Sequence, residues 1–204
     1  MVITDDAGRS TDDMTRIVEA ALRGGATAIQ YREKRATAGE AKSGAQALRK
    51  LCAAYSAQFV LNADLLDRVA LEPDDAVHLN RKWLEKEGIM ASGGARKIGY
   101  SAHSIQEAES VKRHGMDYVT LSPVFPTPSK AGILGAIGVE TIRAAAAALE
   151  GFPILALGGI TAENARECVE AGACGVAVMR AVMAADNAEA AARQLVARSL
   201  HGNM

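Results

Sequence analysis

The sequence predicts a parallel α/β fold of the single-domain (β/α)8 TIM-barrel class. Short apolar segments alternate with amphipathic or alanine-rich segments, eight such pairs can be counted, and the 204 residues are at the lower end of the size range of that class. An open doubly wound sheet is the alternative, but no GxGxxG turn follows the first strand. We therefore expect one domain over residues 1–204, with an active site at the C-terminal ends of the strands.

The eight predicted strands are short and rich in β-branched and aliphatic residues. They cover residues 2–4, 26–32, 58–62, 76–79, 97–101, 118–122, 153–157 and 174–179. A helical segment is predicted after each strand, from 11–23 after the first to 187–200 after the last.

Two carboxylates, Asp5 and Asp6, follow the first predicted strand. They lie at the face where chemistry is expected, but they could equally cap the helix that begins near Thr11 or be solvated. Both interpretations stay open at this point.

The second predicted strand carries the basic residues that point to an anionic ligand. Its alternation directs Ile29 and Tyr31 towards the helices, and Gln30, Arg32 and Lys34 towards the lumen and its mouth. Cationic groups that converge on one end of a barrel need an anion or a carboxylate beside them. The partner is therefore either a phosphate-bearing ligand or a structural carboxylate, Asp5 or Glu33.

The third, fourth and fifth predicted strands end in polar side chains. Asn62 ends the third strand, and Asp64 follows it. A lone histidine in a strand, such as His78, is more often a core residue than a catalyst. Ser101 ends the fifth strand and is expected to point into the mouth. His103 follows, and an imidazole at this position suits either acid–base chemistry or a supporting role.

The seventh predicted strand ends in Gly158-Gly159, and Thr161 is expected to begin the next helix. A glycine pair lets backbone N–H groups approach an anion, which a helix N-terminus also attracts, although such pairs also form ordinary tight turns. Arg180 follows the eighth strand and could clamp the same anion or lie along the rim. The expected ligand therefore carries phosphate.

Composition excludes several classes of function. A formal net charge of −1 with scattered basic residues does not suit a nucleic-acid surface. No apolar run reaches the length of a membrane span, and no signal peptide is recognised before the first strand, so we expect a cytoplasmic protein. Three cysteines without CxxC spacing are interpreted as buried structural thiols.

Segments spread over nearly the full chain resemble the thiamine phosphate synthase and TenI superfamily. They are residues 2–5, 30–34, 62, 77–79, 99–104, 117–118, 123–130, 158–160 and 171–178. The synthases of this superfamily join a pyrimidine methyl diphosphate to a thiazole phosphate and release diphosphate. Small phosphorylated thiazole and pyrimidine precursors are therefore the expected partners, and the analogy implies a homodimer.

The resemblance also assigns roles to individual residues. The diphosphate would be held by Gln30, Arg32, Lys34 and Lys130, and the pocket would be lined by Asn62, Ser101, Thr127 and Ser129. The thiazole phosphate would be held by the Gly158-Gly159 backbone together with Val178, Met179 and Arg180.

Three positions depart from the pattern of the synthases or of the TenI-type proteins. The synthases hold Mg²⁺ with an aspartate after the strand-3 asparagine and another five residues beyond the strand-4 histidine, where this chain has Ala63 and Trp83. TenI-type proteins lack this pair and isomerise a thiazole carboxylate phosphate with a histidine, where this chain has Pro123. With proline there, His103 or His78 would have to move the proton.

The first expectation is accordingly a TenI-like, metal-independent protein that binds and isomerises a thiazole phosphate and requires no cofactor. Its catalytic residues would be His103, His78 and Lys130. The alternative is a thiamine phosphate synthase that uses Mg²⁺, with Asp64 as a substitute ligand. A third hypothesis is a non-catalytic protein that binds thiamine precursors.

Overall fold

The computed structural model describes residues 1–5, 7–87, 95–127 and 135–199. The strands are β1 (Val2–Ile3), β2 (Ala28–Tyr31), β3 (Gln58–Asn62), β4 (Ala76–Leu79), β5 (Lys97–Ala102), β6 (Tyr118–Leu121), β7 (Ile154–Leu157) and β8 (Gly175–Ala177). The α-helices are α1 (Thr11–Arg23), α2 (Ala38–Ala54), α3 (Arg81–Glu87), α4 (Ile105–Arg113), α5 (Val139–Leu149), α6 (Ala165–Glu170), α7 (Arg180–Met183) and α8 (Ala188–Ser199). A 3₁₀ turn, Ala63–Leu65, follows β3.

All eight strands belong to one sheet, in the order β1 to β8. This order, with helices between parallel strands, is that of the (β/α)8 TIM-barrel class, so the predicted fold class is confirmed. The chain divides into two compact units. The first contains residues 1–98 and 179–193, and the second contains residues 99–178 and the C-terminal residues from Gln194.

The first unit holds β1 to β4, paired in parallel with a register that aligns Gln30 with Val60 and Asn62 with His78. The predicted alternation of β2 is confirmed. Tyr31 is buried, and a Cβ at Gly44 of α2 would lie 2.5 Å from the Tyr31 hydroxyl, so this ring faces the helix. Gln30, on the opposite face, is also buried.

An ion pair anchors α2 to the turn before β4. Arg49 donates from Nε to Asp75 Oδ1 at 3.0 Å and from a terminal nitrogen to the Ala70 carbonyl at 2.8 Å. Its guanidinium also lies 5.1 Å from the centre of the Phe59 ring. Asp75 is 3% exposed, so this charge depends on Arg49 for its partner.

The second unit holds β5 to β8, with Ser101 beside Thr120 and Leu157 beside Ala177. Ser104 caps α4, because its hydroxyl accepts from the Glu107 N–H at 3.1 Å. The Glu107 carboxylate accepts a hydrogen bond from the N–H of His103 at 2.7 Å. The backbone of His103 is thereby tied to the start of α4.

Several element bounds differ from the predicted ones. β2 ends at Tyr31, one residue early, because the Thr4 hydroxyl accepts from the Arg32 N–H at 2.9 Å and donates to the Arg32 carbonyl at 3.0 Å. At Arg32 the hydroxyl of Thr4 therefore takes the place of backbone groups of a neighbouring strand as the hydrogen-bond partner. β8 is shorter than predicted because Met179 already turns into α7.

The helix after β7 begins at Ala165, so the prediction of a start at Thr161 is wrong. Asn164 closes the intervening turn instead, accepting from the Thr161 N–H at 2.8 Å and donating to the Gly159 carbonyl at 3.0 Å. Because the Asn164 side chain bonds to residues that precede it, the chain forms a turn over 162–164 before α6.

The prediction of buried thiols holds for two of the three cysteines. Cys52 and Cys168 are buried, and burial raises their pKa values to about 12 and about 11. Cys174, just before β8, is exposed, which corrects the prediction for that residue. Among the helices that the structure describes, none combines the length and the apolar character that a membrane crossing requires.

Candidate functional site

A chain of polar side chains runs across the C-terminal ends of β2, β3 and β4 in the first unit. The Asn62 amide donates to Gln30 Oε1 at 3.0 Å and accepts from the Asp64 N–H at 3.1 Å. The Asn80 amide then donates to Asp64 Oδ1 at 3.0 Å and accepts from the Trp83 N–H at 3.0 Å. Each amide is oriented by a bond at both ends, so these strand ends form one hydrogen-bonded array.

Two predicted cationic residues flank this array differently. Lys34 Nζ lies 3.8 Å from Asp64 Oδ2, with half of its side chain exposed. The Arg32 backbone is held by Thr4, but its guanidinium makes no hydrogen bond or ion pair with any residue in the described ranges. Arg32 is therefore a cation without a described counterion, as an anion-binding residue would be.

The structural ion pair between Arg32 and Asp5 that the sequence left open is not formed. Asp5 instead pairs with Arg9 at 3.2 Å, and Arg9 also donates to the Met183 carbonyl at 2.9 Å. Asp5 does not cap α1 either, because Ser10 occupies that position and accepts from the Asp13 N–H. Asp5 is therefore a structural residue that fixes the segment between β1 and α1.

A cavity of about 480 Å³ opens beside the array in the first unit. Its lining residues come from the segments that follow β2, β3 and β4, and they are Lys34, Ala63, Asp64, Asp67, Arg68, Asn80, Lys82 and Trp83. A volume of this size accommodates a small ligand. Asn80, Arg68 and Lys82 were not predicted as site residues, although the position of Asn80 directly before a helix is a capping signal that could have drawn attention to it.

His78 is buried in β4, only 2% exposed. Burial disfavours the charged imidazolium and lowers the pKa of His78 to about 3. The side chain is therefore neutral at physiological pH, which favours the core role over the catalytic one predicted for it.

This burial predicts a pH dependence of stability. The folded protein keeps His78 neutral down to about pH 3, whereas the unfolded chain protonates it below about pH 6.5. Since the unfolded state then binds one more proton, the free energy of unfolding should fall by about 2 kcal/mol from pH 7.5 to pH 5 through this group alone. Urea denaturation at both pH values should show that His78→Gln loses this part of the pH dependence.

The exposed His114 provides the matched control, and His78→Gln should lose more of the pH dependence than His114→Gln does. Equal pH dependence in the unmodified chain and in His78→Gln would contradict the prediction.

In the second unit, His103 lies next to the loop after β6. Its Nδ1 is 2.7 Å from the Ser122 carbonyl, so Nδ1 carries the proton and donates. In the neutral imidazole Nε2 is consequently a free base, the arrangement that a proton acceptor needs. Of the two histidines predicted to be catalytic, His103 has the geometry for the role.

The glycine pair after β7 has a structural reason that the sequence did not reveal. Gly158 and Gly159 have φ angles of 98° and 66°, and a Cβ at Gly158 would lie 2.7 Å from Pro123. The Phe125 N–H donates to the Gly158 carbonyl at 3.0 Å. The loop after β6 thus passes directly over the glycine turn, where only glycine fits.

The N–H groups of Gly158 and Gly159 remain available for a ligand. Neither donates to another group within the described ranges. The pairing of Leu157 with Ala177 brings Gly158 beside Val178, the residue that follows β8. These observations are compatible with the predicted phosphate site, which stays a prediction.

The remaining predicted residues are distributed as follows. Ser101 and Thr127 are half-buried in the second unit, and Met179 and the exposed Arg180 belong to the first, where Arg180 begins α7. Ser129 and Lys130 lie outside the described residues, so their roles stay predictions.

The chain is similar in sequence to known proteins over nearly its whole length. A family profile described as thiamine monophosphate synthase matches residues 1–182. A thiamine-phosphate synthase of Listeria welshimeri is 40% identical over 191 residues, 90% of each chain. One from Chlorobium luteolum is 42% identical over 198 residues, covering 96% of this chain and 90% of the relative.

A solved structure shares the fold over nearly the whole chain. The thiamine phosphate pyrophosphorylase of Pyrococcus furiosus superposes with a TM-score of 0.81 at 33% identity, covering 97% of this chain and 93% of that one.

Proposed function

Because the chain belongs to the thiamine monophosphate synthase family, we propose that it is a thiamine phosphate synthase. It would join a pyrimidine methyl diphosphate to a thiazole phosphate: the bond from the methyl carbon to diphosphate breaks, and a bond from that carbon to the thiazole nitrogen forms. The observation that carries the proposal is an identity of about 40%, over nine-tenths of both chains, to enzymes of that name.

The residues of the first unit suit the departure of diphosphate. Negative charge accumulates on the leaving group as its bond breaks, and fixed cations stabilise that charge. Arg32 has no counterion among the described residues, so its guanidinium can meet that charge. Lys34 is half-exposed beside the array and can approach the same charge while it stays near Asp64. Gln30, held by Asn62, would complete this part of the site.

The residues of the second unit suit the thiazole phosphate. The N–H groups of Gly158 and Gly159, which have no acceptor among the described residues, offer donors to phosphate oxygens, and Val178 lies beside them. Lys130, Ser129, Ser101 and Thr127 are proposed to contribute as the family resemblance implies.

The tautomerase expectation has less support than the synthase. The named relatives are synthases, and Pro123 has no titratable group with which to move a proton. His103 in its neutral form has an unprotonated Nε2, but its contact with the Ser122 carbonyl is also what a purely structural histidine would make. The expectations of a single domain, a homodimer and a cytoplasmic location stay predictions.

The proposal is tested by incubating the purified chain with both precursors, measuring thiamine phosphate and released diphosphate. We expect the two products in equal amounts. Arg32→Gln should lower kcat/KM about 100-fold, the loss typical of one charge-stabilising donor. The exposed Arg35 gives the matched control, and Arg35→Gln should keep nearly full activity.

Isomerisation of a thiazole carboxylate phosphate without any coupling to the pyrimidine would contradict the synthase assignment. Absence of both reactions, with binding of thiazole phosphate retained, would favour the non-catalytic hypothesis instead.

A further inference from the structure

The cavity of the first unit does not supply the ligands that Mg²⁺ requires, although the family resemblance implies this ion for a synthase. Ala63 and Trp83 line the cavity at the positions where synthases have aspartates, and neither side chain offers an oxygen. Of the two carboxylate oxygens of Asp64, one accepts from Asn80 and the other faces Lys34. Asp67 also lines the cavity, but its carboxylate pairs with Arg68 at 3.2 Å. Mg²⁺ needs near-octahedral oxygen ligands, with one or two carboxylates beside the phosphates, so these residues do not fit it.

Lysine side chains supply positive charge in the cavity. Lys34 and Lys82 both line it, and Lys82 is exposed and makes no ion pair in the part of the chain that the structure describes. The neighbouring Arg81 pairs with Glu85 at 2.8 Å and does not line the cavity. Of the two basic residues that begin α3, Lys82 is therefore the one placed to meet an anion.

The other charges that line the cavity balance each other locally. Arg68 pairs with Asp67 at 3.2 Å and donates to the carbonyls of Ala36 and Asp64, which holds it in a structural role. Asp64 is held by Asn80 and shares its charge with Lys34. The ammonium group of Lys82 is left in excess, so the cavity favours an anionic ligand.

We propose that this cavity binds the diphosphate group of the pyrimidine substrate directly, with Lys34 and Lys82 in place of a divalent cation. The inference rests on the proposed function and deepens it. An ammonium group has three donors, so Lys34 can stay near Asp64 and still bind a phosphate oxygen. Lys82 would supply positive charge where, as the family resemblance implies, other synthases hold Mg²⁺ with two carboxylates.

The binding test uses inorganic diphosphate as the probe and Trp83, the only tryptophan of the chain, as the reporter. Its fluorescence should change on titration, because Trp83 lines the cavity. We expect diphosphate to bind in EDTA, and excess Mg²⁺, which complexes the probe in solution, should not lower the Kd; calorimetry in both media measures this. Lys82→Gln should raise the Kd in EDTA at least tenfold. The exposed Lys50 of α2, outside the cavity, is the control, and Lys50→Gln should leave the Kd unchanged.

The inference is overturned if diphosphate binds only with Mg²⁺, if it does not bind at all, or if Lys82→Gln and Lys50→Gln behave alike.

A reverse test adds carboxylates: the folded double variant Ala63→Asp, Trp83→Asp should bind diphosphate more tightly with Mg²⁺ than in EDTA, measured by calorimetry. Equal affinity of that variant in both media would count against the inference.

Failure of this inference can be told apart from failure of the proposed function. Thiamine phosphate formed only with Mg²⁺ would leave the synthase assignment standing and overturn the metal-free site. Metal-free binding of diphosphate without any product would support the site and overturn the synthase assignment. Product formed in EDTA at a rate near that in Mg²⁺ supports both.

Discussion

Replacing Gly158 by alanine is expected to lower the free energy of unfolding by about 3 kcal/mol. The φ angle of 98° is unfavourable for any residue with a Cβ, and the added methyl group would lie 2.7 Å from both Cα and Cβ of Pro123. The conformational strain contributes about 1–2 kcal/mol, and the steric overlap with a backbone atom contributes a similar amount. Urea denaturation of the purified variant measures the sum.

Gly151 separates the two contributions, because its φ angle is 74° but nothing lies within 4 Å of the added Cβ. Gly151→Ala should therefore lose only about 1 kcal/mol, the strain alone. The KM for the thiazole phosphate should also rise in Gly158→Ala and stay unchanged in Gly151→Ala. If the two variants lose equal stability, the close approach of Pro123 does not explain why glycine is needed at 158.

Replacing Arg49 by methionine is expected to lower the free energy of unfolding by about 4 kcal/mol. The carboxylate of Asp75 is 3% exposed, and Arg49 is the residue whose guanidinium binds it. Removing one partner of a buried ion pair leaves an uncompensated charge, which typically costs about 3–5 kcal/mol. Methionine keeps most of the apolar volume that packs near Phe59, so the change in stability reports mainly on the charge.

Two further variants test that explanation. Arg49→Met combined with Asp75→Asn should recover part of the lost free energy of unfolding, because position 75 then carries no buried charge. The Arg16–Asp13 pair on α1 is highly exposed, so Arg16→Met should leave the unfolding midpoint nearly unchanged. A double variant no more stable than Arg49→Met alone would show that lost packing, not the unpaired charge, causes the destabilisation.

The positions of most strands and helices could be predicted from local patterns. The limits of β3 and β4 and those of α1 agree with the sequence prediction, because apolar alternation and a helix cap are properties of neighbouring residues. The bounds that differed, at the end of β2 and before α6, depend on side chains that replace backbone hydrogen bonds: Thr4 at Arg32, and Asn164 at Gly159.

Residue identity and order alone determined the alternating strands and helices and the basic end of β2. They also place Ala63 and Trp83 at positions where the family resemblance implies carboxylates. Only the tertiary structure decided which side chains form ion pairs and hydrogen bonds with each other. Asp5 binds Arg9 instead of Arg32, and Asp64 lies between Lys34 and Asn80. The partners of Asp64 could not be predicted because they lie at different strand ends, and the distances between those ends are set only when the sheet forms. Arg9 is only four residues from Asp5, but its guanidinium also donates to the Met183 carbonyl, 174 residues away, a contact that only the tertiary structure sets. The same holds for Gly158, whose neighbour Pro123 is 35 residues away in the chain.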